Sequence, residues 1–486
     1  MSSQDTPIRI AVVGSGPAGF YAAGHLLADT SERFDVDMFE RLPTPWGLVR
    51  SGVAPDHPKI KSVTRIYERT AGHPRFRFFG NITFGEHVSR AELLSHYHAV
   101  VYATGSPSDR PLGIPGEHLP GSHAATEFVG WYNGHPDHTE LEIDLLSASR
   151  ALVIGNGNVA LDVARMLVLA PSELAPTDTA NHALDILARS RVTEVVVVGR
   201  RGPAQAAFTN PELRELGELS DADIIVDPDE LDSALAVPDP DAAEDATSRR
   251  NVDILRSYAS RQPSGRPKRV VLRFLLSPTS LIPHEGGHLG AVELVRNRLV
   301  ATSDGGLRAE ATGERETIPA GLVFRAIGYR GIPLPDVPFD ERTGIIPNDC
   351  GRVLHPTSGS PLPGEYVVGW IKRGPSGVIG TNKKDAQETV NAIFADLPVA
   401  ESDASDDAAL AHLPDTPDSA AIEVLLRERQ PDLVTYSGWE AIDAHERALG
   451  EPHGRPRVKL VSVEEMLRVA GNGASPERED SAIEVP

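Results

Sequence analysis

The chain has 486 residues, too many for one small core, so two or three domains of ~100–200 residues each are expected. Its apolar fraction of 40% suffices for a buried core, and its formal net charge of −22 argues against general binding to nucleic acid or anionic membranes. No apolar run approaches the ~18 residues of a membrane span. The opening MSSQDTPIRI has no signal- or transit-peptide pattern, so a cytoplasmic protein is expected.

In chain order, IRIAVVG (8–14) reads as a buried central strand, PAGFYAAGHLLADT as a helix and FDVDMFE (34–40) as the next strand. Such a unit implies parallel strands joined by a right-handed crossover. Its turn carries Gly14, Gly16 and Gly19. The first glycine permits the tight turn, the second lets a pyrophosphate approach the backbone, and the third lets helix and strand pack closely. Phosphates are drawn to the helix N-terminus, and Glu40, closing the second strand, offers a carboxylate to a ribose hydroxyl. That carboxylate disfavours a 2′-phosphate, which leaves NAD or FAD. A lone G-x-G-x-x-G is equally an ordinary tight turn; the flanking strands and Glu40 favour the dinucleotide.

HAVVYATGS (98–106) reads as another buried strand. A second unit opens at Ala151 with strand ALVIG, helix NVALDVARMLVLA, a polar helix-prone insert and strand TEVVVVGRR (193–201). Its turn is G-x-G-x-x-A, with Gly155, Gly157 and Ala160, and its second strand ends in Arg200 and Arg201 instead of an acid. Two guanidiniums there suit a 2′-phosphate and point to NADP(H), the alternative being a plain surface arginine pair. FAD at the first turn and NADPH at the second imply electron transfer between them, because a flavin takes hydride as a pair of electrons and can release electrons singly.

Further along, residues 227–250 read as an acidic surface loop, and RVVLRFLLSPTSLI with GAVELVRNRLV as a β-meander. GLVFRAIGYR (321–330) and GEYVVGWIKRG (364–374) are strand-then-turn segments, and a helix is expected from about Ser376. Residues 400–420 read as an acidic linker or loop, 421–429 and 462–470 as helices bracketing GEPHGRPRVKL, and 471–486 as a disordered tail. Cys350 is the single cysteine, which excludes an intrachain disulfide, a CxxC redox pair and a cysteine-held iron–sulfur cluster; no residues are assigned to a metal.

The run PTPWGLVRSGVAPDHPKIK (43–61), with ATGS, VIGNGNVALDVAR, VGRRGPAQAAFTNPELREL and VVGWIKRGPSGVIGTNKKDA, resembles the adrenodoxin reductase family, and within it the bacterial NADPH–ferredoxin reductases of FprA type. The resemblance runs through GEPHGRPRVKL. It implies an α/β protein of two Rossmann-like, three-layer (ββα/αβ) dinucleotide-binding domains, the FAD domain (1–108 and 331–486) split by an inserted NADP domain (109–330). It further implies FAD contacts at Gly14, Ala18, Glu40, Leu48, Val88, Trp370, Gly377, Val378 and Ile379, and NADP contacts at Arg110, Asn156, Gly157, Asn158, Val159, Arg200, Arg201, Glu212 and Gly377. His57, in a loop between Pro55 and Pro58, would sit near nicotinamide and flavin, and histidine's ordinary pKa of ~6.5 suits proton movement. Glu212 would meet the nicotinamide carboxamide and Asp162 would join a polar network between the cofactors. Where many flavoproteins have Gly-Asp, this chain has Gly369-Trp370, as in this branch.

The implied acceptor is a ferredoxin, an acidic iron–sulfur protein, reached by a protein that is a monomer. Its expected docking cations are Lys372, Arg373, Lys383, Lys384 and RPRVK (455–459). A thioredoxin- or glutathione-type reductase needs a cysteine pair, a glutamate-synthase-type subunit needs cluster cysteines, and no Baeyer–Villiger fingerprint is present. Another flavoprotein NADPH oxidoreductase (a diaphorase), or a redox-sensing protein that binds both nucleotides without turnover, remain as alternatives.

Overall fold

The computed structural model describes residues 7–29, 33–236, 245–302, 306–397 and 419–471. The linker expected at 400–420 and the tail after 471 lie essentially outside these residues. Two sheets organise the chain. The first is seven-stranded, in the order Asn348–Asp349, Arg352–Leu354, Pro361–Val367, Ala99–Tyr102, Ile8–Val13, Phe34–Phe39, Phe76–Phe79. From Pro361–Val367 onward its neighbours are parallel. Ile8–Val13 is buried at every position because helices and loops cover both faces.

The second sheet has six parallel strands: Ser122–Ala124, Leu322–Arg325, Arg150–Ile154, Glu194–Val198, Lys268–Arg273 and Ala222–Val226. Leu152, Ile154, Val196 and Val198 on one face pack against Leu276, Leu281, Leu289 and Val292 of a three-stranded antiparallel sheet. Helices cover the other face, where Val153 and Val197 meet Leu161, Ala164 and Leu213. The second unit is therefore a three-layer ββα stack. Between the two sheets the chain passes out along Ser108–Asp109 and back along Tyr329–Arg330, and these short strands pair antiparallel.

Several local expectations are corrected. Lys268–Arg273 joins the central parallel sheet, and the expected meander begins only at Leu276, as the antiparallel strands Leu276–Pro283, Leu289–Ala301 and Leu307–Pro319. Both patterns are apolar runs of similar length, and only the partner strand distinguishes them. The acidic stretch at 227–250 is not all loop. Asp227 caps a helix, Pro228–Leu235, by accepting from the Asp229 and Glu230 amides, and Leu231 and Ala234 of that helix are buried. A second helix there, Ala246–Ala259, starts from Asp245. The helix expected from Ser376 starts instead at Thr381. A helix at Tyr436–Gly450 and a strand at Ala222–Val226 were not anticipated.

Candidate active site

In each sheet the strand carrying a glycine turn lies where the strand order reverses, with one crossover leaving to either side. Ligand crevices of open α/β sheets form there, beyond the strands' carboxyl ends. At the first turn Gly14 has φ +108°, and a Cβ on it would lie 2.6 Å from the Ala103 carbonyl oxygen. A Cβ on Gly19 would collide with the Gly14 carbonyl. These two glycines serve the protein's own packing. Gly16 differs, for a Cβ there would meet nothing within 4 Å, so its backbone faces open space at the start of the helix Pro17–Leu27. Glu40 stands beside that space, its Oε2 accepting from Ser15 Oγ at 2.5 Å and the Ser15 amide at 3.2 Å, and its Oε1 from the Leu42 amide at 3.1 Å.

The return segment closes on the same turn. A Cβ on Gly369 would lie 2.5 Å from Ala18 Cβ, and Gly369 takes φ +80°. Trp370 follows, its Nε1 buried without a hydrogen-bond partner and its ring 5.1 Å from that of Tyr329. Gly377 has φ +79°, Val378 is 54% exposed and Ile379 packs partly against the first unit's core. Leu48, at the start of Leu48–Ser51, is 37% exposed. Val88 is buried among Phe79, Ile82 and Leu93, which leaves only its backbone to face a ligand.

The second turn repeats the pattern. Gly155 has φ +137°, and a Cβ on it would strike the Ala326 carbonyl, whereas Gly157 faces open space. Asn156 Nδ2 is buried and unpartnered; Asn158 Oδ1 accepts from the Thr209 amide at 2.8 Å, and Val159 packs partly against the core. Arg200 and Arg201 are held through their backbones. The Arg200 carbonyl accepts from Asn297 Nδ2 at 2.8 Å and the Arg201 carbonyl from the Leu275 amide at 3.2 Å. Neither guanidinium has an ion pair among the described residues. Arg110 is likewise exposed, its amide donating to the Gly328 carbonyl at 3.1 Å where the chain crosses between units. An open glycine backbone beside a free or orphaned donor fits a pyrophosphate nucleotide at each turn.

A charged junction joins the two units. His57 Nε2 lies 2.7 Å from Glu215 Oε2 and 3.7 Å from Glu212 Oε2. Arg165, 2% exposed, places Nε and Nη2 at 2.8 Å from the two oxygens of Asp56, Nη2 at 3.2 Å from Asp162, and Nη1 at 3.4 Å from Glu212 and 3.5 Å from Glu215. Burial, with Glu212 and Asp56 adding to it, pushes the Asp162 carboxyl up to about 7 against the pull of Arg165 and His57. His57, Glu212 and Glu215 could in geometry hold a divalent ion. Arg165 already brings a positive charge to both carboxylates, so a metal gains little there.

His57, Glu212 and Asp162 thus gather at one place, whereas Arg110, Arg200 and Arg201 make no contact with that junction among the described residues. Asp56, Arg165 and Glu215 were not singled out by the sequence. Their only signals are adjacency to His57 and spacings of three residues from Asp162 and Glu212. Most of the expected docking cations are corrected. Lys372 is 5% exposed and paired with Asp385 and Glu388. Arg373 bonds Asn382 and the Ser376 carbonyl. Arg455 is buried on the carbonyls of Thr177 and Thr179, Arg457 pairs with Asp443 and Glu446, and Lys459 with Asp178. Lys383 and Lys384 alone of that set are exposed and without an ion pair among the described residues.

The description Pyridine nucleotide-disulphide oxidoreductase matches residues 8–212. Over 470 residues the chain is 54% identical to NADPH-ferredoxin reductase FprA of Mycobacterium tuberculosis, covering 95% of this chain and 99% of that one. The chain belongs to the FprA-type NADPH–ferredoxin reductase family. It is 41% identical to the mitochondrial NADPH:adrenodoxin oxidoreductase of Arabidopsis thaliana over 481 residues, 97% of each. Among solved structures, Mycobacterium tuberculosis FprA in complex with NADPH superposes with a TM-score of 0.88, covering 96% of this chain and 99% of that one. This member of the family is accordingly an oxidoreductase. No helix among its described residues is long and apolar enough to cross a membrane.

Proposed function

We propose that the protein is an FAD-dependent NADPH–ferredoxin oxidoreductase, which takes hydride from NADPH onto FAD and passes single electrons to a small acidic iron–sulfur protein. It acts as a monomer in the cytoplasm. FAD lies over the Gly14–Gly19 turn in a unit made of 1–108 and 331–486, and NADP(H) over the Gly155–Ala160 turn in the unit 109–330. The observation that carries this reading is the contrast at equivalent strand ends: a carboxylate, Glu40, beside one open glycine, and the unpaired Arg200 and Arg201 near the other.

FAD, when bound, converts a two-electron donor into a one-electron donor. The chain's own residues supply the rest. Gly16 and Gly157 admit phosphates to helix N-termini. Arg200, Arg201 and Arg110 would hold the anionic end of NADP(H), Trp370 would line the flavin pocket, and Glu212 would hold the nicotinamide end. Oxidising one NADPH with one-electron acceptors releases one proton. A proton on His57 Nε2 has Glu215 Oε2 within 2.7 Å, and Glu215 is 42% exposed, so the pair links the buried junction to bulk water.

Purified protein should be yellow and should reduce ferricyanide with NADPH, and cytochrome c only when ferredoxin is added. Binding of both nucleotides without turnover would favour a redox sensor instead. Replacing Arg200 and Arg201 together with Gln should raise the KM for NADPH about tenfold to a hundredfold, as expected for lost charged contacts of about 1.5–3 kcal/mol, and leave NADH nearly unaffected.

For the acceptor, the first unit exposes several cations without ion pairs among the described residues. Lys383 and Lys384 adjoin His25, whose Nε2 lies 3.2 Å from the Lys383 carbonyl oxygen. Lys59, Arg65 and Arg69 are exposed and without ion pairs among the described residues, beside Ile60 and Ile66 at 41% and 49% exposure. Basic groups around exposed aliphatic side chains suit an acidic partner. Reversing Lys383 and Lys384 to Glu should slow ferredoxin-dependent cytochrome c reduction and flatten its salt dependence, with the ferricyanide rate unchanged. Equal salt dependence in variant and wild type would exclude this face.

A further inference from the structure

Asp56 and His57 are neighbours in the turn between Pro55 and Pro58, and each is fastened to the other unit. Asp56 takes a two-pronged contact from Arg165, at 2.8 Å on both oxygens, and His57 meets Glu215 at 2.7 Å. Arg165 lies on the helix Asn158–Val168, and Glu212 and Glu215 lie on Asn210–Leu216. One guanidinium, 2% exposed, therefore touches three elements: the turn of the first unit, the glycine-turn helix of the second, and the helix that carries the partner of His57. Its charge matters as much as its shape. Asp56, Asp162, Glu212 and Glu215 converge here, and among the described residues Arg165 is the one arginine or lysine paired with them. Carboxylates this close repel one another strongly where water is scarce.

We infer that Arg165 is a positioning residue for hydride transfer: it neutralises Glu212 and Glu215 and pins Asp56, and so holds His57 and Glu212 in register across the two units. Arg165 touches no nucleotide-binding group at the Arg200–Arg201 end, so its loss should fall on the chemical step and spare affinity. Charge and fork separate into two variants. Arg165→Met keeps the length of the side chain and loses both. Arg165→Lys keeps the charge and loses the planar fork that Asp56 needs. Asp56→Asn keeps the shape of the turn and weakens the anchor.

The inference rests on the NADPH-to-FAD reading, and the experiment separates the two. Flavin bleaching by NADPH is followed anaerobically in single turnover for wild type and variants, with NADP⁺ affinity by titration and amide exchange over residues 53–63 measured alongside. If wild-type flavin is not bleached by NADPH, the functional reading fails. With wild type active, Arg165→Met is expected to bleach tenfold or more slowly, with NADP⁺ affinity within threefold and exchange over 53–63 raised tenfold or more. Arg165→Lys should recover part of the rate, and Asp56→Asn/Arg165→Met should be no slower than Arg165→Met alone, since both act through one contact. The inference is overturned by a wild-type rate in Arg165→Met. It is equally overturned if the rate loss tracks lost flavin or lost NADP⁺ affinity, if Lys rescues nothing, or if the losses in the double variant add.

Discussion

Asp162 shows how one side chain records the junction's chemistry. Its folded carboxyl titrates near 7, burial being the main cause, and an unfolded aspartate near 3.8. Because the folded value is raised, the folded state holds the extra proton between these limits, and stability falls as pH rises from about 4 to 7. Asp162→Asn imitates the protonated form. It should be more stable than the wild type at pH 8, by on the order of 4 kcal/mol at most, with the gap closing toward pH 4. Melting curves across pH 4–8 check this, and a constant gap would mean that Asp162 ionises normally. His57 and Glu212 belong to the same scale, for each became a credible functional group only when its partners were placed beside it.

At the scale of elements, the two strand–turn–helix units divide their glycines into distinct tasks. Gly155 has a positive φ and its Cβ would strike the Ala326 carbonyl, so Gly155→Ala should cost about 1–3 kcal/mol from backbone strain, with the clash adding to it. Gly157 has ordinary φ (−107°) and free space beside it. Gly157→Ala should therefore keep its melting temperature within about 2 °C yet lose NADP⁺ affinity tenfold or more, because the methyl group would occupy the space proposed for the pyrophosphate. Thermal melts paired with nucleotide titration distinguish these outcomes, and undiminished affinity in Gly157→Ala would move the nucleotide elsewhere. These units were legible in the sequence because strand, turn and helix are contiguous and their periodicity changes within a few residues. The antiparallel layer was legible from Leu276 onward, but that Lys268–Arg273 leaves it for the parallel sheet was not, since an apolar run does not say which sheet it joins.

Across the whole molecule, buried charge ties the two units together. Asp178, 6% exposed, receives Lys61 Nζ at 2.6 Å and Lys459 Nζ at 3.2 Å, and Asn133 Oδ1 accepts from Lys459 at 3.1 Å. Nearby, Glu446 at 0% exposure meets Arg50 at 2.6 Å and Arg457 at 3.2 Å. The lysines hold the Asp178 carboxyl well below the usual carboxylate range. A depressed folded value means stability present above about pH 4 and lost as pH falls below it. Asp178→Asn leaves two ammoniums buried without their counter-charge. It should cost about 3–5 kcal/mol at pH 7 and flatten the acid limb of the stability curve. Urea unfolding at pH 7 and pH 3 tests both, and a loss below 1 kcal/mol would show that the lysines find water instead. The same packing explains the corrected docking cations: Arg455 and Lys459 are buried clamps between the units, and Arg457 is spent on Asp443 and Glu446 within the first unit.

The sequence by itself determined two parallel α/β units, the glycine turns, the opposite charges at their strand ends and the absence of cysteine redox chemistry. Each of these is set by neighbours a few residues apart, whose geometry follows from short-range sterics and hydrogen bonding. Only the tertiary structure decided which charges stay free and which are consumed. A lysine's charge is visible in the sequence, but its partner is wherever the fold brings a carboxylate within about 3 Å. For Arg165 and Asp56, or Lys459 and Asp178, that partner lies more than 100 residues away.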